Sequence, residues 1–139
     1  MARGLNPAGL EMPFGAFSNA AWVPAGRQLI ISGLVARDAQ GNLVGRGDME
    51  AQTRQVLRNM ETMLHHAGAT FDDIAVVTVF LTDMSKLAVV HDVRREFFKP
   101  PYPASTLVQV VSLVDPELLI EINAVAVVPE DRINRAAAG

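Results

Sequence analysis

With 139 residues, half of them hydrophobic and 19% charged, the chain has the size of one domain and enough apolar matter for a core, which excludes a disordered protein. The net charge is −3 and the twelve Lys and Arg are scattered, so nothing favours nucleic acid or an anionic membrane. The absence of cysteine excludes disulfides, and no apolar run approaches the ~20 residues of a membrane span.

Residues 1 to 15 hold Pro7, Gly9, Pro13 and Gly15 and read as an irregular lead-in without the apolar segment of a secretion signal, so a cytoplasmic protein is expected. Phe17 to Val23 is a short strand, and Gln28 to Val35 a better one built on Leu29, Ile30 and Ile31. Asp38 to Asn42 supplies turn residues, with Leu43-Val44 as a returning arm. Asp48 is an N-cap with Glu50 in the first turn. Val56, Leu57, Met60, Met63, Leu64 and Ala67 follow at helical spacing, and Gly68 suits the end, which predicts a helix over 48–67. His65 and His66 sit in its last turn, where adjacent residues point about 100° apart and cannot chelate a metal together.

Ile74 to Thr82 is the next strand. Asp83 or Ser85 caps a second helix running to about Lys99, with Leu87, Val90, Val93 and Phe97 inward, and Pro100, Pro101 and Pro103 stop it. Two strands close the chain, Ala104 to Leu113 and Leu118 to Val128, joined by a turn at Val114–Glu117. A charged, then Ala-rich tail from residue 129 is expected to fray. Trp22 is assigned to the core or to a cleft wall, with the core favoured. The order β, β, (β), α, β, α, β, β defines a single α+β domain with both helices on one face of the sheet.

The last strand carries Leu118, Ile120, Ile122, Ala124, Ala126 and Val128 on one face, which should meet the helices. Its other face has Leu119, Glu121, Asn123, Val125 and Val127, far more apolar than a solvated sheet surface. Covering such a patch would supply on the order of 10 kcal/mol before association costs. A closed homo-oligomer is therefore expected, with Ser105, Gln109, Glu121 and Asn123 at or near its seams.

The chain resembles the Rid/YjgF family along nearly its whole length. The likeness rests on Leu29-Ile-Ile-Ser-Gly33, Gln52-Thr-Arg-Gln-Val-Leu-Arg-Asn59, Val77-Thr-Val-Phe-Leu-Thr-Asp83, Tyr102-Pro-Ala104, Val108-Gln-Val110 and Ile120-Glu-Ile-Asn-Ala-Val-Ala-Val127. The resemblance implies a fold like that of the bacterial chorismate mutase trimer, with small-molecule clefts between adjacent subunits. It also implies hydrolysis of 2-imino acids or their enamine tautomers without metal or organic cofactor. Carried over by position, the water-positioning carboxylate is Glu121, the backbone contact is at Leu107, and Ser32 and Gly33 wall the cleft.

Three positions depart from the family pattern. Ser105 stands where an Arg follows Pro-Ala, Phe17 replaces a tyrosine, and His91 replaces an asparagine. Loss of the Arg removes a carboxylate clamp worth roughly 1.5–3 kcal/mol or more, so ordinary 2-imino acid turnover should fall about tenfold to a hundredfold or be lost. Phe17, Ser32, Gly33, His91, Ser105 and Leu107 are the expected ligand contacts, and Glu121 the catalytic residue. Each has a plainer alternative: a structurally paired Glu121, a Ser105 that satisfies local backbone, a structurally bonded His91. The competing functional reading is a non-catalytic trimeric metabolite-binding or chaperone-like protein. An endoribonuclease ranks last because the chain is acidic.

Overall fold

The computed structural model describes residues 1–138. Its strands are β1 (Arg3–Leu5), β2 (Ala20–Trp22), β3 (Arg27–Val35), β4 (Ile74–Leu81), β5 (Ala104–Gln109) and β6 (Ile120–Val128), and its helices are α1 (Met49–Ala67) and α2 (Leu87–Phe97). The main sheet has the order β3-β6-β4-β5. β6 runs antiparallel to both β3 and β4, whereas β4 and β5 are parallel. Strands that run the same way need a crossover, and α1 and α2 are those crossovers, from β3 to β4 and from β4 to β5.

α1 begins where Asp48 accepts the Ala51 N–H at 3.0 Å and ends at Gly68, whose φ of 86° lies in the left-handed region. Val56, Leu57, Met60 and Leu64 are fully buried from its inner face. Two amides on the same helix fix the sheet's loops. Gln52 donates to the carbonyls of Gly45 (3.1 Å) and Glu117 (2.9 Å) and accepts the Leu119 N–H (2.8 Å). Asn59 donates to the carbonyls of Val35 (3.2 Å) and Arg37 (2.8 Å). The end of β3 and the start of β6 are thereby tied to one rigid element.

The face of β6 formed by Ile120, Ile122, Ala124, Ala126 and Val128 is buried under the helices together with Val77, Val79 and Leu81 of β4, as its alternation predicts. The opposite face presents Val76, Thr78 and Phe80 beside Val125, Asn123 and Glu121, with Thr106 and Val108 at the β5 edge. Among the described residues no element layers over it: Ile30 remains 68% and Val108 39% exposed, Val76, Phe80 and Val125 are half-buried, and only Val127, expected on this face, is buried at 4% exposure.

Several expectations are corrected. The lead-in is not wholly irregular, because Arg3–Leu5 pairs antiparallel with Ala20–Trp22. The strand expected over 17–23 is cut to β2, since Ser18 bridges Ala104 instead. β5 stops at Gln109 rather than Leu113 because its neighbour along that stretch, β4, ends at Leu81. β6 starts at Ile120, two residues later than expected, although Leu118 is buried. α2 starts at Leu87 after a 3₁₀ turn over Met84–Lys86 and ends at Phe97. Leu43 forms a single bridge to Arg37 rather than a full arm. Trp22 is 72% exposed, not in the core, and Met63 is exposed while Met60 is buried. The tail folds back on α1, where the Asn134 N–H reaches the Ala67 carbonyl at 3.1 Å.

Candidate functional site

A cavity of about 270 Å³ lies between α2 and the edge strand β5. Ser105 and Leu107 enter it because they pair with Val77 and Val79, whose side chains point to the helix layer. The third wall is the segment before β2. Ser18 donates its N–H to the Pro103 carbonyl at 2.8 Å, which lays residues 14–17 along the mouth of the cavity and brings Phe14 and Phe17 into its lining.

His91 projects from α2 and is 6% exposed. Its Nδ1 accepts the Ala16 N–H at 3.2 Å. Its ring stacks on Phe17 (centroids 6.1 Å apart, 26° between planes) and meets Phe14 edge-on at 5.9 Å. A β-carbon on Gly15 would overlap that ring, so the residue passing beneath must be glycine. Burial, reinforced by the charges of Arg94 and Arg95, pushes the imidazole down to about 4. The ring is therefore neutral at pH 7, and with Nδ1 accepting, its proton sits on Nε2.

Arg94, one turn further along the same face, also lines the cavity and is 1% exposed. Its guanidinium lies 5.8 Å from the centre of the Phe98 ring, and neither Nη1 nor Nη2 has a hydrogen-bond partner among the described residues. Burial and the neighbouring Arg95 push it down to about 10, which leaves it cationic at neutral pH. The sequence reading passed over this residue. The signal was present: Arg94 falls in the stripe Leu87, Val90, Phe97 at helical spacing, a polar group on an otherwise inward face.

Glu121 lies elsewhere. On β6 it pairs with Phe80 and Val35, on the sheet face away from the helices. Ser32 and Gly33 occupy the irregularity where the β3 register shifts between Ile31 and Leu34. A β-carbon on Gly33 would fall 2.6 Å from Glu121 Oε1, so the carboxylate rests on space that only glycine leaves open. The expected site residues thus form two groups on opposite faces. Phe17, His91, Ser105 and Leu107 share the cavity; Ser32, Gly33 and Glu121 do not reach it within one chain. Among the described residues no cluster of three or more His, Asp or Glu is placed to hold a metal ion, and no helix is long and apolar enough to cross a membrane.

A mixed sheet with two helices on one face, and a cavity of small-molecule size at its open edge, define a compact α+β ligand-site domain. The sequence pattern of the family described as Endoribonuclease L-PSP matches residues 10–128. A RutC family protein of Pyrococcus horikoshii is 39% identical over 114 residues, 82% of this chain and 88% of that protein. The crystal structure of YyfB, a Rid family protein of Yersinia pestis, superposes with a TM-score of 0.85 at 37% identity, covering 91% of this chain and 98% of that one. RidA of an Antarctic Psychrobacter superposes with a TM-score of 0.69 at 31% identity, covering 84% and 92%. The chain belongs to the Rid/YjgF family, and its fold is the chorismate-mutase-like α+β fold of that family.

Proposed function

We propose that the protein is a homotrimeric, cofactor-independent hydrolase of a small imine or enamine, working in clefts that two copies build together. One observation carries this reading: the two groups of site residues lie on opposite sheet faces, and the face that bears Glu121 is apolar and uncovered. A neighbouring copy would cover the apolar face, and the seam would bring one chain's Glu121 to another chain's cavity.

The chemistry follows from the groups present. Water adds to the C=N carbon while the Glu121 carboxylate takes its proton. Glu121 returns that proton to the nitrogen, and as the C–N bond breaks the added hydroxyl gives up its own proton to the same nitrogen, which leaves as ammonia while the carbon becomes C=O, so imine plus water gives ketone plus ammonia. Neutral His91 offers Nε2–H as a donor to the reacting nitrogen or oxygen. Ser105 Oγ and the Leu107 backbone are placed to orient the ligand, against the apolar rings of Phe14 and Phe17.

The test is ammonia release from imines generated in situ by an amino acid oxidase. The wild type should release ammonia faster than the uncatalysed rate, and Glu121→Gln should slow it by about a hundredfold. An unaffected Glu121→Gln variant would remove the assigned role. The second reading, a metabolite-binding module without turnover, gains support from Ser105 in place of the family Arg, and from a single-chain cavity that holds no charged group besides Arg94. Ligand-induced stabilisation with no turnover of that ligand would favour it. The endoribonuclease description of the matching family has little support in a chain of net charge −3 whose one cavity guanidinium is buried.

A further inference from the structure

We infer that the cleft takes an uncharged imine with an aromatic or apolar body, of the kind that oxidation of a primary amine supplies, and discriminates against imines that bear a carboxylate. This inference deepens the proposed function and rests on its choice of cavity and on Glu121 as the base. Its ground is what the cavity offers a charge. Two basic side chains belong to the lining, His91 and Arg94. His91 is buried, gives its Nδ1 to the Ala16 N–H and is neutral at pH 7. Arg94 reaches the wall, but Nη1 and Nη2 are both sealed inside the protein, where the Phe98 ring lies 5.8 Å from the guanidinium. A carboxylate entering the cavity therefore meets no guanidinium fork that it could bond. Burial strips its water without replacing it, a heavy cost for a charge and a mild one for a neutral group.

The second chain makes the bias stronger. In the two-copy cleft the incoming side chain is Glu121, which has to stay ionised to take a proton from water. A carboxylate on the substrate would sit beside it as a like charge in a small, poorly hydrated space. What the cavity does offer suits a neutral C=N group. Ser105 faces it with a hydroxyl that donates or accepts, and His91 with an Nε2–H that donates. Phe14, Phe17, Met84, Leu87 and Leu107 form the apolar walls, and Phe14, 69% exposed, holds its ring at the mouth. Such surfaces favour a benzyl-sized body. The balance of the reaction is unchanged: a neutral imine and water give a neutral ketone or aldehyde and ammonia, without oxidant or reductant.

Phenylacetone and phenylpyruvate are matched products, one with a methyl group where the other has a carboxylate. In calorimetric titration of the full chain, wild type should bind phenylacetone at least about tenfold more tightly. Ser105→Arg, which puts a guanidinium into the cavity, should strengthen phenylpyruvate binding at least about tenfold. The imines of the same two compounds, made in situ by an amine oxidase and an amino acid oxidase, should follow the wild-type order in kcat/KM for ammonia release, a comparison that needs no variant. Equal or tighter binding of phenylpyruvate by wild type, no binding of either at millimolar concentration, or no gain for phenylpyruvate in a folded Ser105→Arg variant would each overturn the inference. Preferential phenylacetone binding without ammonia release from either imine would sink the hydrolase reading and leave the ligand class standing. Glu121-dependent ammonia release with the higher kcat/KM for the carboxylate-bearing imine would do the reverse.

Discussion

His91 is held by contacts that a protonated ring cannot keep. Its Nδ1 accepts the Ala16 N–H, and it sits near Arg94 and Arg95, whose charges Asp92 opposes. The folded chain keeps the ring neutral down to about pH 4, whereas an unfolded chain protonates it near the ordinary 6.5. Unfolding therefore takes up a proton between these values. The contribution of the neutral ring to stability is fully present above about pH 6.5 and is lost as pH falls towards 4. Urea midpoints measured across that range should fall more steeply for wild type than for His91→Gln, and parallel curves would contradict the account. At this scale the sequence was partly legible. His91, Phe17, Ser105 and Leu107 could be named by position, and they do share one cavity. Arg94 was missed because helical periodicity was read for apolar residues only, and an inward arginine reads as noise until its neighbours are known.

Among the elements, the irregularity in β3 matters most to the site. The register shift between Ile31 and Leu34 places Ser32 and Gly33 beside β6, and the missing side chain at 33 is what lets the Glu121 carboxylate lie there. Gly33→Ala puts a methyl group into that space, and the carboxylate must move by about an ångström. Ammonia release should drop at least about tenfold, since small misplacements of a reacting group cost that much. A variant of unchanged activity would show that the carboxylate's position on Gly33 is incidental. Caps and periodicity made α1 legible to within a residue: Asp48, Gly68 and the stripe Val56, Leu57, Met60 and Leu64 act as read, and Met63 alone turns outward. The ends of β5 and β6 were not legible, because a strand stops where its neighbour stops, and the neighbour is set by topology rather than by local composition. The pairing of Arg3–Leu5 with Ala20–Trp22 was hidden for the same reason: three residues carry no period.

For the whole molecule, the two-faced sheet was the feature most legible in the sequence. The alternation of Ile120 to Val128 separates a face that the helices bury from one that they leave bare. It did not reveal that the candidate site is divided between those faces, since strand order and the parallel register of β4 and β5 decide where Ser105 and Glu121 point. The central claim is that a working site needs two chains, one giving the cavity and the other giving Glu121. Two inactive homo-oligomers test it directly: Glu121→Gln, and Leu107→Trp, which fills the cavity. Unfolded together and refolded as mixed oligomers, they should regain ammonia release at roughly a quarter of the wild-type rate, the share of sites that random mixing leaves intact in both halves. A mixture as inactive as its two components would place both groups in one chain and contradict the account.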